Sequence, residues 1–214
     1  MPTKKPRSMR DEIKRKEFRV AIFGSARIKT ADKIYKQVFD LAYEVGKHKF
    51  DIVTGGGPGL MEAANAGHEA GDKGHKSDSI GLVINLPWES KSNKHLEIKK
   101  RFDQFSKRLD TFMALSKVAV IMPGGIGTCL ELFFTWQLLQ VKHLKPIPII
   151  LVGKMWEKLI NWVKKYPLKE GLISEKDLNF IHIVKNNEEA MEIIMKTYRK
   201  FNNGKKHGTN NKHK

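Results

Sequence analysis

The chain has 214 residues, of which 40% are hydrophobic and 29% are charged, a balance that suits one compact domain and excludes a fully disordered or collagen-like chain. A single cysteine, Cys129, excludes an internal disulfide and a cysteine-rich metal framework. No apolar run approaches the roughly 20 residues that span a bilayer, and the first residues lack the apolar segment of a secretory signal. We therefore expect a cytoplasmic protein with no membrane partner.

The net charge of +17 is concentrated at the two ends of the chain. Residues 1–19 contain eight basic and three acidic side chains, and residues 196–214 contain seven basic and no acidic ones. We interpret residues 1–17 as a basic extension and residues 202–214 as a basic, disordered tail. Such tails could instead bind nucleic acid, but no aromatic residue that could stack on bases follows Phe201. A nucleic-acid partner is therefore not favoured.

Between the two ends, apolar segments of strand length alternate with amphipathic segments of helix length. Strands are predicted at residues 18–24, 50–54, 79–86, 117–122, 146–152 and 179–184. Helices are predicted at residues 33–47, 58–70, 98–116, 128–141, 155–166 and 188–201. Because each parallel crossover needs a helix, this order predicts an α/β, Rossmann-like, doubly wound and mainly parallel sheet of about six strands with helices on both faces. Residues 18–201 form one nucleotide-binding domain in this interpretation.

Three of the predicted strands end in glycine-rich segments, and in a parallel sheet these ends lie at the edge where ligands bind. The segments are residues 23–27 (FGSAR), 54–62 (TGGGPGLME) and 122–131 (MPGGIGTCLE). Glycine lets a ligand approach backbone amides, and a helix amino terminus attracts anions. Thr128 could both cap the helix that follows and donate its hydroxyl to a phosphate oxygen. The spacing matches neither a P-loop nor a dinucleotide fingerprint, so the pattern predicts a phosphate cradle without phosphoryl transfer.

The glycine-rich segments also resemble those of a known family. Residues 55–61 and 123–131 resemble the paired GGGxxGxM and PGGxGTxxE motifs of the LOG family, the cytokinin riboside 5′-monophosphate phosphoribohydrolases that are often mislabelled as lysine decarboxylases. Residues 23–26 resemble the family's first Gly-Ser loop, and residues 86–89 with Asn93 resemble the stretch after its third strand. The resemblance covers about residues 18–200 and implies a Rossmann-like fold in a homodimer or an assembly of dimers. It also implies hydrolysis of the N-glycosidic bond of an AMP- or cytokinin-type nucleoside 5′-monophosphate to free base and ribose 5-phosphate, without a cofactor.

The resemblance assigns roles to individual residues. Arg108, fifteen residues before Pro123, and Glu131 are the implied catalytic residues. Phosphate contacts are implied for Gly124, Gly125, Gly127 and Thr128, base or ribose contacts for Gly55, Gly56, Gly57, Met61 and Glu89, and further substrate contacts for Gly24 and Ser25. A carboxylate about one helical turn beyond the phosphate site could stabilise the positive charge that builds on the ribose as the bond breaks.

The residues alone leave other interpretations open. Glu131 follows Thr128 in the Thr-x-x-Glu order of a helix-capping box, and Arg108 lies among solvated lysines and arginines. A nucleotide- or phosphorylated-ligand-binding protein without turnover would need the same glycine loops. Lysine decarboxylation is the weakest interpretation, because no lysine lies within the glycine clusters to hold pyridoxal phosphate. The histidines at positions 68, 75, 95, 143 and 182 lack metal-ligand spacing, so no metal site is predicted.

Overall fold

The computed structural model describes residues 9–86 and 91–209. Its strands are β1 (Arg19–Phe23), β2 (Asp51–Thr54), β3 (Ser79–Ile84), β4 (Ile98–Phe102), β5 (Val118–Ile121), β6 (Ile149–Val152) and β7 (Ile181–Val184). Its helices are α1 (Met9–Lys14), α2 (Lys33–Lys47), α3 (Leu60–Gly71), α4 (Phe105–Leu115), α5 (Ile126–Gln140), α6 (Lys154–Val163), α7 (Glu175–Leu178) and α8 (Asn187–Thr209). A π-helical turn, Lys164–Leu168, continues α6.

The strands form one parallel sheet in the order β4-β3-β2-β1-β5-β6-β7, which confirms the predicted α/β, doubly wound fold. Helices α2, α3 and α8 cover one face, and α4, α5 and α6 cover the other. Successive residues of β1 enter the two apolar cores alternately, Val20 and Ile22 on one face and Ala21 and Phe23 on the other. The strand order reverses between β1 and β5, so the carboxyl ends of these two strands mark the ligand-binding position of this fold.

The predicted helix at residues 98–116 is wrong in its first part. Residues Ile98–Phe102 form β4, which pairs with β3 from Ile80↔Ile98 to Ile84↔Phe102 and so satisfies backbone groups that β3 would otherwise expose. Ile98 and Phe102 are half-buried, whereas the three basic residues between them are exposed. Charged side chains on an edge strand oppose pairing with a second sheet, which explains a sequence that is poor in apolar residues. With β4 included, the described residues form a sheet of seven strands, whereas about six were predicted.

Buried ion pairs tie α1 to the amino edge of the sheet. Glu12 and Arg19 are almost fully buried, and Arg19 Nη2 donates to Glu12 Oε2 at 2.8 Å. Arg19 Nε donates to Asp51 Oδ2 at 3.0 Å. Burial raises the pKa of Asp51 to about 6, although the attraction of Arg19 lowers it. The segment interpreted as a basic extension therefore contains a helix that completes a charge network at the starts of β1 and β2.

Helix α8 continues beyond the predicted end at residue 201 and reaches Thr209, within the segment expected to be a disordered tail. Its Tyr198 and Phe201 rings pack against Phe18 with centroid distances of 5.1 and 5.5 Å. Residues 1–8 and 210–214 lie outside the described residues, as do the predictions that concern them. Within the described ranges, no helix is both long and apolar enough to cross a membrane.

Candidate active site

A cleft of about 460 Å³ lies at the carboxyl edge of the sheet, within the size range of small-ligand sites. It is bounded by the segments that follow β1, β2, β3 and β5 and by side chains of α4 and α5. The residues of the predicted site that line it are Gly24, Ser25, Gly55, Gly57, Met61, Arg108, Gly125, Gly127, Thr128 and Glu131. Gly56 and Gly124 are not among the lining residues, and Glu89 lies outside the described residues.

The first loop, Gly24 and Ser25, connects the other two glycine loops. The Ser25 amide donates to the Pro123 carbonyl at 3.1 Å, and the Ser25 carbonyl accepts the amide of Leu60, the first residue of α3, at 2.9 Å. A Cβ at Gly24 would lie 2.9 Å from Leu60 Cδ1, so glycine is needed for this close approach. The loops after β1, β2 and β5 therefore form one hydrogen-bonded unit.

The glycines of the second loop have two different structural roles. A Cβ at Gly55 would lie 2.5 Å from both Arg108 Nη2 and Met61 Sδ, so glycine at this position leaves room for the Arg108 guanidinium. Gly56 has a φ of +71° and packs against β3, where a Cβ would lie 2.8 Å from Val83 Cγ2. Gly56 thus shapes the loop from behind, while Gly55 and Gly57 face the cleft.

The third loop begins α5, and its backbone presents the amides of a helix start. Gly125 is the N-cap residue, and no side chain caps the helix. The predicted capping role of Thr128 is wrong, because α5 begins at Ile126 and Thr128 is already its third residue. A Cβ at Gly124 would overlap the Thr128 side chain, so Gly124 allows Thr128 to pack beneath the turn. The uncapped amides and the helix dipole favour an anion at this position.

Arg108 of α4 and Glu131 of α5 meet in the cleft, although they come from different elements. Arg108 Nη1 lies 3.3 Å from Glu131 Oε1, and the two side chains are only 8% and 12% exposed. Arg108 Nε also donates to the Leu82 carbonyl at 2.6 Å, and its guanidinium lies 5.1 Å from the centroid of the Phe112 ring. Burial raises the pKa of Glu131 to about 7, against the lowering effect of Arg108. A carboxyl group with this pKa can both accept and release a proton near neutral pH.

Sequence reasoning missed two cations that line the cleft, Arg27 and Lys91. Both side chains are exposed. Arg27 directly follows the Gly-Ser loop, and that position is the signal that could have identified it. The apolar residues that line the same cleft are Ile22, Phe23, Val83, Ile84 and Leu86. A wall of this kind suits the planar face of a base.

The sequence analysis also did not predict the buried polar network that holds the second loop in place. Asn65 of α3 accepts a hydrogen bond from Thr54 Oγ1 at 2.7 Å and donates to Ser79 Oγ at 2.9 Å. Asn93 Nδ2 donates to Asn65 Oδ1 and to the Gly57 carbonyl, both at 3.0 Å. The network links α3, β2, β3 and the segment before β4, so it fixes the wall of the cleft that carries Gly55 and Gly57.

Among the residues that the structure describes, no group of three or more histidine, cysteine or acidic side chains could hold a metal ion. Among its described lining residues the cleft carries one carboxylate, Glu131, which already faces Arg108. The described part of the site therefore consists of an uncapped helix start, a buried arginine–carboxylate pair, two exposed cations and an apolar wall.

Comparison with known proteins gives a family match and a partial relative. A family model described as possible lysine decarboxylase matches residues 61–194. The pyrimidine/purine nucleotide 5′-monophosphate nucleosidase of Escherichia coli K12 is 29% identical over 116 residues, which cover 51% of this chain and 26% of that protein. The chain therefore spans about a quarter of the length of the curated relatives that it matches.

Solved structures match a larger share of the chain at lower identity. The molybdenum cofactor binding protein of Rippkaea orientalis has a TM-score of 0.64 and 16% identity, and the alignment covers 84% of this chain and 96% of that one. The molybdenum cofactor carrier protein of Chlamydomonas reinhardtii has a TM-score of 0.64 and 20% identity over 86% of this chain and 99% of that one. At these identities the similarity establishes the fold.

Proposed function

This chain belongs to the LOG-type family whose model is described as possible lysine decarboxylase, and from that premise we propose that it is a nucleoside 5′-monophosphate phosphoribohydrolase. It cleaves the N-glycosidic bond of an AMP- or cytokinin-type nucleotide and releases the free base and ribose 5-phosphate. The relative named as a nucleotide 5′-monophosphate nucleosidase supports this class of reaction. The base preference follows from the family resemblance.

One observation carries the proposal: a buried arginine–carboxylate pair shares a cleft with an uncapped helix start. Glu131 is three residues after Thr128 on α5, so its carboxylate lies about one turn, or roughly 5 Å, along the helix from the anion-binding amides. This separation suits a nucleotide whose 5′-phosphate is bound at the helix start and whose ribose extends towards Glu131. Met61 and the apolar wall are then available to the base.

The reaction needs a group that responds to charge at C1′ of the ribose. As the C1′–N bond breaks, its electron pair leaves with the base and positive charge develops on the sugar. A water molecule adds to C1′, Glu131 accepts its proton, and that proton passes to the departing base. Arg108 orients Glu131 through their ion pair and has further donors for ribose hydroxyls. The near-neutral pKa of Glu131 suits both the acceptance and the release of this proton.

The cleft does not fit the pyridoxal chemistry that the name of the family model suggests. That chemistry needs a lysine for the Schiff base and an acidic partner for the pyridine nitrogen. Among the described residues that line the cleft, the only lysine is the exposed Lys91, and the only carboxylate, Glu131, faces Arg108. The residues present therefore favour hydrolysis of a nucleotide.

Incubation of the purified protein with AMP, GMP and isopentenyladenosine monophosphate tests the proposal. We expect free base to accumulate from at least one of them, as measured by chromatography, and none from the matched nucleoside adenosine. A rise in melting temperature with a nucleotide but no free base would instead identify a ligand-binding protein without turnover. Release of cadaverine from lysine with added pyridoxal phosphate would contradict the proposed reaction.

We also propose that the protein forms a homodimer, alone or within a larger assembly of dimers, through α5. Ile126, Leu130 and Phe133 lie on one face of this helix and are 87%, 44% and 42% exposed. The stripe begins at the cleft, which Ile126 lines, and continues to an apolar groove of about 200 Å³ lined by Phe133, Trp136 and Trp162. Exposed apolar surface of this kind marks interaction sites, and a self-complementary stripe suits a second copy of the chain.

Phe133→Asp should convert the dimer to a monomer, because the new carboxylate would be buried without a partner at the interface. Sedimentation velocity at micromolar concentration measures this change. Ile13→Asp is the matched control, since Ile13 is 43% exposed on α1 and lines neither the cleft nor the groove beside Phe133. A wild-type protein that sediments as a monomer, or a Phe133→Asp variant that remains dimeric, would contradict the α5 interface.

A further inference from the structure

Positive side chains outnumber negative ones among the described residues that line the cleft. Four charged side chains line it among the described residues, namely Arg27, Lys91, Arg108 and Glu131. Arg108 and Glu131 neutralise each other as a pair. The structure records no hydrogen-bond or ion-pair partner for the Arg27 and Lys91 side chains within its described ranges. The described lining residues therefore have a surplus of two positive charges, which favours an anionic ligand.

Strand order separates these two cations. Arg27 follows β1, the direct neighbour of β5, and the loop after β5 carries the anion-binding turn. Lys91 lies in the segment between β3 and β4, whose Asn93 donates its amide to the Gly56 carbonyl of the loop after β2, and β2 lies two strand positions from β5. Backbone contacts strengthen the difference, since the Arg27 amide donates to Ser25 Oγ at 3.1 Å while the Ser25 amide donates to the Pro123 carbonyl. Arg27 therefore projects from a turn that is bonded to the loop preceding α5.

We propose that Arg27 is the specificity-determining cation for the 5′-phosphate, and that it selects nucleoside monophosphates against nucleosides. The identity of the ligand rests on the proposed function. A phosphate monoester carries about −1.5 to −2 charges at pH 7, whereas a helix start supplies only about +0.5. Thr128 adds a neutral hydroxyl. Arg27 supplies the full positive charge that this turn lacks, on a planar group that can donate two parallel hydrogen bonds to phosphate oxygens.

Lys91 lines the same cleft at a different position, so the effects of losing Lys91 and losing Arg27 on phosphate binding can be compared. Its segment is hydrogen-bonded to the second loop through Asn93, which donates to the carbonyls of Gly56 and Gly57, and the structure gives no such bond to the turn that begins α5 within its described residues. A charge beside the second loop contributes less to phosphate affinity than a charge beside the turn, because salt weakens charge interactions over a Debye length of about 8 Å at physiological ionic strength. Loss of Lys91 should therefore affect phosphate binding less than loss of Arg27.

Isothermal titration of the full-length protein with AMP, adenosine and inorganic phosphate tests the proposal. Arg27→Gln should weaken AMP and phosphate binding by about 10- to 100-fold, the usual effect of a lost charge-assisted hydrogen bond. The affinity for adenosine should change by less than about twofold, because adenosine lacks the phosphate. Lys100→Gln, on the exposed edge strand and outside the cleft, removes the same charge and should change AMP affinity by less than about threefold. Lys91→Gln should weaken AMP binding less than Arg27→Gln does.

Two results would overturn the role of Arg27. One is AMP affinity of Arg27→Gln within about twofold of wild type, and the other is an equal loss for AMP and adenosine, which would indicate general damage to the cleft. Failure to detect AMP binding by the wild-type protein would also overturn it. Base release is measured in parallel, so that AMP binding that depends on Arg27 without release of adenine contradicts the hydrolase alone.

Discussion

Glu131→Gln should reduce adenine release from AMP by about 10³-fold, within the range for removal of a general acid–base group, and should leave AMP affinity within about threefold. Glutamine has the same shape and can still contact Arg108, so the cleft should keep its form. It cannot accept a proton from water or offset positive charge at C1′, so the loss should fall on kcat. Chromatographic assay of adenine and titration with AMP measure the two effects separately.

The pH profile gives a second measurement of the same group. Burial raises the pKa of Glu131 to about 7, so the group is largely protonated at pH 5.5 and largely ionised at pH 8.5. Because the ionised form accepts the proton of water, kcat/KM of the wild-type protein should rise with pH through about 7 and then level off. Glu131→Gln should lose this inflection.

Glu157→Gln is the matched control for Glu131→Gln. Glu157 is also an acidic helical residue, but it is exposed on α6 and does not line the cleft. This variant should keep full activity and the inflection near pH 7. Normal turnover by Glu131→Gln would remove that residue from the mechanism, and an equal loss in both variants would show that the effect is not specific to the cleft.

Arg19→Met should lower the free energy of unfolding by about 3–5 kcal/mol, the usual result of removing one partner of a buried ion pair. The variant leaves Glu12 and Asp51 buried without their shared cation. Urea denaturation followed by circular dichroism measures the loss. Arg10→Met is the control, because Arg10 is exposed on α1, and it should change stability by less than about 0.5 kcal/mol.

The loss in Arg19→Met should depend on pH in a definite direction. The pKa of Asp51 is raised to about 6 in the folded protein, so below that pH Asp51 becomes protonated and no longer needs Arg19. At pH 8 Asp51 is ionised, so the loss of the Arg19 charge has its full effect. The difference in stability between wild type and variant should therefore be larger at pH 8 than at pH 5. A difference that does not change with pH would show that packing, rather than charge, dominates at Arg19.

The arrangement of the cleft could largely be predicted because parallel strands place their carboxyl ends together. The loops that contain Gly24, Gly55 and Gly125 each follow a predicted strand. In a parallel sheet these loops must lie at one edge. The family prediction is confirmed as well. The contact between Arg108 and Glu131 could not be predicted from local sequence, because no pattern relates α4 to α5. Only the family resemblance paired the two residues.

Other features left no local signal in the sequence. β4 is an edge strand with three charged residues in its centre, so its composition resembles a solvated helix, and only the free edge of β3 determines its conformation. Asn65 resembles any polar helical residue until β2 and β3 surround it with Thr54 and Ser79. Thr128 followed the rule for an N-cap residue, but helix α5 began earlier, at a glycine N-cap. In each case tertiary contacts decided what the local sequence left undetermined.

The residues that stabilise the fold and those that form the cleft lie at opposite edges of the sheet, which has a consequence for altering substrate specificity. The edge at the strand starts carries the Arg19 network, while the edge at the strand ends carries glycine turns and side chains that face an open cleft. Libraries that vary Ile84, Leu86 and Met61 in search of a new base preference should therefore leave the melting temperature nearly constant. A selection for activity could then explore many variants of one wall without a separate screen for folding.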